Sequence, residues 1–161
     1  MADVITDGLT RVAYVLTIAN AAAPTTTELN AGTSLLLHDT MTSDGLNGFN
    51  PATADVPTSK FSSTFDTMQP GRVSYSNPTL RFCKQVAPDL IYNTLSRATT
   101  GFIVIRRGLA AATAWASTQV IEVYPIVCGE RVLLDPAPNT LQRWESPLKL
   151  SAQPTLNAAV A

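Results

Sequence analysis

The stretch QVIEVYPIVCGERVLLDPAPNTLQRW (residues 119–144) decides how the chain is read. Residues 120–127 are β-branched and aromatic, interrupted only by Glu122 and Pro125, which is strand composition. Pro125 has no N–H to give to a ladder and so predicts an edge or a bulge. Gly129-Glu130 suits a two-residue hairpin turn with glycine first, returning through residues 131–135. Residues 135–139, DPAPN, form a rigid corner. A strand pair this apolar must be covered, by the chain's own core or by a neighbouring subunit.

Working outward, residues 143–150 alternate, with Trp144, Leu148 and Leu150 on one face and Arg143, Glu145 and Lys149 on the other. Upstream, GFIVI (101–105) is continuously apolar, the pattern of a strand buried on both faces, and Arg106-Arg107-Gly108 closes it. Residues 109–118 read as a loop or helical turn in which Trp115 is a packing anchor. At the other end of the chain, residues 11–18 set Val12, Tyr14, Leu16 and Ile18 on one face, a half-buried strand. A threonine-capped helical turn before Gly32 and an extended segment at 34–37 come next.

Residues 38–60 are rich in Gly, Asn, Asp, Thr and Pro and hold no period, which predicts a long loop. In it Leu46, Phe49 and Val56 read as isolated anchors on an arm ordered by a partner. Phe61 and Phe65 mark a weak strand, and residues 72–76 and 79–86 two more, separated by Asn77-Pro78, so that the three form a meander. Residues 88–97 make the best helix, with Pro88 and Asp89 in its first turn and Arg97 near its end. The tail, 151–161, is small and uncharged and belongs on the surface or on a neighbour. The expected fold is one domain, residues 1–161: a mainly β, antiparallel sandwich or partly closed barrel with one flanking helix.

At 161 residues such a chain can bury roughly 70% of its unfolded surface around one core. Its composition is 45% hydrophobic but only 14% charged, against about 25% charged in ordinary soluble domains, so some of its surface is not meant for water. The first residues, MADVITDGLT, carry two acids and no base, unlike a secretory leader, and no run of 18 apolar residues spans a bilayer. Residues 1–70 hold seven acids against two bases and residues 71–161 five acids against nine bases. If these halves occupy different faces, copies can dock head to tail.

Chemistry is sparse. The one histidine, His38, has no nucleophile near it in sequence, and no GxSxG elbow or phosphate loop occurs. Asp39, Asp44 and Asp55 match no calcium-loop spacing, and Cys83 and Cys128 read as buried free thiols. Arg106-Arg107 is too small a basic patch for nucleic-acid recognition. No catalytic, cofactor-binding or metal residues are assigned.

The order of blocks is nevertheless recognisable: PTTTELNAGTSLLL (24–37), the long loop, KFSSTFDTMQPGR (60–72), PDLIYNTL (88–95), GFIVIRRG (101–108), AWAS (114–117), QVIEVYPIVCGE (119–130) and PAPNTLQRW (136–144). It resembles the tail tube (major tail) proteins of long-tailed, siphovirus-type actinobacterial bacteriophages. The resemblance implies a structural virion protein without cofactor or metal, made in the host cytoplasm. Its subunits would form hexameric rings that stack, through a long loop and the termini, into a hollow tube. DNA would pass through that tube unread, and tape measure and tail terminator proteins would be further partners. The expected subunit interface draws on Leu46, Asn47, Phe49, Val56, Arg106, Arg107, Tyr124 and Pro125, with at least one of the two arginines away from the lumen. Alternatives are another virion protein, for decoration of the capsid or completion of the tail, and a small β-barrel ligand-binding module. For the last the hints are Tyr14, Trp115, Tyr124 and Trp144, and it needs an internal apolar cavity.

Overall fold

The structure, a computed structural model, describes residues 6–161. The reading of the first residues as no secretory leader falls partly on residues 1–5, outside those described. In chain order the elements are β1 (Thr10–Val15), α1 (Thr26–Leu29), β2 (Leu35–Leu36), β3 (Met41–Asn47), β4 (Pro51–Pro57), β5 (Met68–Tyr75), β6 (Thr79–Cys83), α2 (Leu90–Thr94), β7 (Thr100–Arg107), β8 (Val120–Cys128), β9 (Val132–Leu133), β10 (Arg143–Leu150) and β11 (Thr155–Ala159). Nine strands make one antiparallel sheet in the order β2-β1-β7-β8-β10-β6-β3, with β11 beside β8 and β9 beside β10, curled into a half-barrel. Strands β4 and β5 pair only with each other.

The centre of the sheet is covered on both sides. Val12, Tyr14, Ile103, Ile105, Tyr124 and Ile126 enter a core shared with Leu80, Phe82, Trp144 and Leu148. The alternate residues Ala13, Val15, Val104, Ile121 and Val123 enter a second core closed by Leu29, Trp115, Ala158 and Val160. This bears out the two-sided burial expected of β7 and extends it to β1, which the alternation had made half-buried. The difference lies in what covers the second face: α1, the 108–118 loop and the C-terminal strand, none of which a local pattern reveals.

Helix α1 forms as expected, with a capping box in which Thr25 and Glu28 satisfy each other's backbone N–H groups. Helix α2 is shorter than residues 88–97. Asp89 caps it by accepting from the Tyr92 N–H at 3.0 Å, which leaves Pro88 outside, and the helix stops at the buried Leu95.

Several strand assignments change. Pro125 lies mid-sheet, opposite Phe102 of β7, at the place where the other neighbour of β8 switches from β11 (Thr155↔Val123) to β10 (Leu150↔Ile126). No ladder donor is needed at that seam, so a proline is tolerated without an edge or a bulge. The hairpin expected at Gly129-Glu130 does not form, because β9 pairs with β10 and the Gly129 N–H donates to the Pro147 carbonyl at 2.7 Å. The tail is not loose: β11 lies against β8, and Ala158 and Val160 are buried.

Residues 38–60 are not an irregular loop either. They contain β3, paired with β6, and β4, paired with β5, joined at Gly48, whose φ of +77° and approach to the Ser76 carbonyl exclude a side chain. Strand β4 is exposed along its whole length, so it carries no apolar alternation to read. The segment around Phe61 and Phe65 is a turn rather than a strand. Nor do β5 and β6 form a meander, since each pairs elsewhere.

Candidate functional site

The most unusual surface is the arm made of β4, β5 and the turn between them. Its ladder runs from Pro51↔Tyr75 to Pro57↔Met68, and the turn is tied by Thr58 Oγ1 to Thr67 Oγ1 at 2.9 Å and by Ser59 Oγ to Asp66 Oδ1 at 3.1 Å. Phe61 is 111% exposed and Phe65 72%, with Val56, Met68 and Val73 also in solvent. A lone two-stranded sheet is marginal in water, and both its edges offer unpaired backbone groups. Apolar side chains at the end of such an element call for a partner.

The arm's root is anchored by aromatic packing. Phe49 is buried with its ring 5.0 Å from that of Tyr124, edge to face, and Tyr75 meets Tyr124 at 6.1 Å. The Tyr124 hydroxyl donates to Glu122 at 2.9 Å, and Glu122 receives two hydrogen bonds from Arg107, at 2.8 and 3.2 Å. Burial first, and then the Glu122 carboxylate, push the Tyr124 phenol well above its ordinary pKa.

Arg106 belongs to a different structure altogether. It is 1% exposed, and its guanidinium donates to the carbonyls of Ala110, Thr113 and Ala114 and to Gln119 Oε1, at 2.7–3.2 Å. Arg11 donates to the Ala111 and Thr113 carbonyls at 2.6 and 3.1 Å. Both guanidinium groups lie over the Trp115 ring, 5.1 and 5.2 Å from its centroid. Burial, and then the neighbouring Arg11 charge, lower the Arg106 pKa. The two arginines staple the 108–118 loop over the second core.

Of the residues expected at an interface, Val56 is exposed on the arm, Asn47 is exposed on β3, Leu46 is half-buried, and Arg107 is exposed but paired with Glu122. Phe49, Arg106, Tyr124 and Pro125 are buried within the subunit. The reading as isolated anchors fails for Phe49 because the bend at Gly48 turns it into the core. The exposed apolar arm residues Phe61, Phe65, Met68 and Val73 were not in that set. Their only sequence signal was large apolar residues amid Ser, Thr and Gly, which a half-buried strand mimics.

The remaining candidates hold no assembled chemistry. His38 Nδ1 lies 3.3 Å from the Val12 carbonyl, and Nε2 lies 3.6 Å from Asp39. Asp44 is engaged by Arg81, which also binds Glu145, so charges from the two halves of the sequence intermix. Among the described residues, no group of three His, Cys, Asp or Glu is placed to hold a metal, and no helix is long and apolar enough to cross a membrane. Cys83 and Cys128 are free thiols, the first half-buried and the second buried. The aromatics that hinted at a ligand cavity are packed: Trp144 stacks on Phe82 at 4.7 Å, Tyr14 lies against Gly101, and Trp115 sits beneath the arginines.

A family model described as phage tail tube protein matches residues 1–161. The chain belongs to the phage tail tube protein family. It is a structural protein of the virion tail. A chain from the six-fold symmetrised cryo-EM structure of the anti-feeding prophage (AFP) baseplate shares the fold, with a TM-score of 0.66 at 10% identity over 98% of both chains. A crystal structure of an Hcp protein aligns over 88% of this tail tube chain and 87% of its own, at 9% identity and a TM-score of 0.39. No curated protein matches the sequence.

Proposed function

We propose that the subunit assembles with copies of itself into six-membered rings that stack into the hollow tail tube of a long-tailed phage, through which DNA is ejected without being read. Tape measure and tail terminator proteins are its further partners, and its role is structural rather than catalytic. The observation that carries this reading is the arm: a two-stranded sheet that meets the core only through Tyr75 at its root, bears apolar side chains in solvent and leaves both edges unpaired. Membership of the tail tube family and a fold shared with a component of a six-fold symmetrised baseplate support it. Burial of Arg106 and pairing of Arg107 with Glu122 also fit a tube that does not grip phosphates.

Electron microscopy of the purified protein tests the proposal. Hollow tubes of stacked rings are expected. Isolated rings or trimers would favour a decoration or tail-completion role, and a monodisperse monomer would overturn self-assembly. A cut arm sharpens the test. Thr53 and Val73 are paired in register, so a short glycine-rich turn can join them without touching Phe49. Such subunits should fold and fail to stack.

A further inference from the structure

A cleft of about 810 Å³ opens at the root of the arm. The arm contributes Pro51, Val73 and Tyr75 to its wall, and the corner between β10 and β11 contributes Leu150, Pro154 and Leu156. Arg72 and Lys149 are the charged residues lining it, and no acid lines it. Lys149 is held by the neutral Asn77 Oδ1 at 3.0 Å, and Arg72 makes no ion pair among the described residues. The cleft thus joins an apolar wall to the uncharged polar groups of Thr53, Ser74, Asn77 and Gln153 and to an unneutralised basic rim, and its volume is in the range of sites that enclose compact groups, roughly 300–1,000 Å³.

The other end of the same arm has the complementary character. Phe61 and Phe65 project into solvent, Asp66 is beside them, and Asp55 lies on the adjoining strand, with Lys60 as the opposing base. The tip cannot fill its own cleft. The paired ladder holds root and tip about 20 Å apart, six steps of extended chain.

We propose that the cleft receives the arm tip of a second copy of this chain, Phe61 and Phe65 entering the slot while Asp66 meets Arg72 and Lys149. The proposal rests on the self-assembly reading and adds the receptor surface to it. Because knob and cleft are different patches on one subunit, the contact is heterologous: each copy that donates an arm still offers an empty cleft, and the contact repeats without limit unless a ring closes it.

The test is cysteine crosslinking of full-length chains in a Cys83→Ser background, which leaves the buried Cys128 in place. Subunits carrying both Phe65→Cys and Leu156→Cys should give a ladder of oligomers on non-reducing gels after mild oxidation. A mixture of the two single variants should stop at dimers. Microscopy of the same samples separates this inference from the function it rests on. Tubes without a ladder overturn the cleft as receptor and leave the tube reading standing, and neither tubes nor ladder overturns both. A ladder without tubes supports the contact and counts against the tube. As a second measure, Asp66→Arg should lower the crosslinking yield several-fold in otherwise folded protein, and pairing it with Arg72→Asp should restore it. No loss on charge reversal would sink the assigned ion pair.

Discussion

The ring of Tyr14 lies across the backbone of Gly101, so closely that a Cβ added there would sit 2.5 Å from ring carbon Cε2. The Tyr14 hydroxyl reaches on to donate to the Thr100 carbonyl at 2.7 Å. Glycine is required at this point by the neighbouring ring rather than by its own backbone. Gly101→Ala should therefore destabilise the subunit by about 1–3 kcal/mol through overpacking, read as a lower urea midpoint. Because the clash is specific, Gly101→Ala combined with Tyr14→Leu should cost less than the sum of the two single changes.

The Arg106 cage gives a second expectation. Arg106→Met keeps the length of the side chain but removes the charged donor that ties the Ala110, Thr113 and Ala114 carbonyls and Gln119 together, and should cost about 1.5–3 kcal/mol, the range for hydrogen bonds to a charged group. Arg106→Lys should recover little of it, since a point charge cannot fork among several carbonyls. Urea unfolding followed by tryptophan fluorescence reads both variants; an unchanged midpoint for Arg106→Met would refute the staple.

Much of this was legible. The pattern of residues 101–105 announced a strand buried on two faces, and a threonine ahead of Gly32 announced the capped turn, because both signals are local. Only part of the arm was visible, in the strand read at residues 72–76; β4 is exposed along its whole length, so no alternation separates it from a loop. Pro125 misled because whether a donor is needed depends on which strand lies alongside, and here that partner changes at that residue. The burial of Arg106 was equally hidden, since its ligands are backbone carbonyls that leave no trace in composition.

Asp89 should contribute a pH dependence. Burial alone raises its pKa, but hydrogen bonds from the Tyr92 and Gln85 N–H groups and from Lys84 outweigh it and hold the carboxyl below its ordinary value. A carboxyl depressed in the folded state stabilises above its unfolded pKa of about 3.9, and that stability is lost as the pH falls through the folded value. Asp89→Asn should keep the cap while flattening the decline in urea midpoint below about pH 4. An equally steep decline in the variant would disprove the assignment.

The thiols should separate cleanly. Burial pushes the Cys128 pKa up to about 11, and Cys83 is the more accessible of the pair. At pH 8 a thiol reagent should titrate one group per native chain and two after denaturation. Cys83→Ser should abolish the native signal. Two fast thiols in the native protein would contradict the packing around Cys128.

Strand β1 pairs with β7 through Thr10↔Arg107 and Val15↔Phe102, and both cores draw on it. At a synthesis rate of roughly 5–20 residues per second, the chain emerging from a ribosome carries β1 for about 5–20 s, with only the two-residue β2 to pair with, before β7 exists. During that interval the strand that will be the most enclosed is among the most vulnerable. The arm, by contrast, pairs with its own neighbour in sequence and can close as soon as it is made. Time in the cell thus departs from the spatial order: the outermost sheet is complete while the central strand β1 still waits for β7.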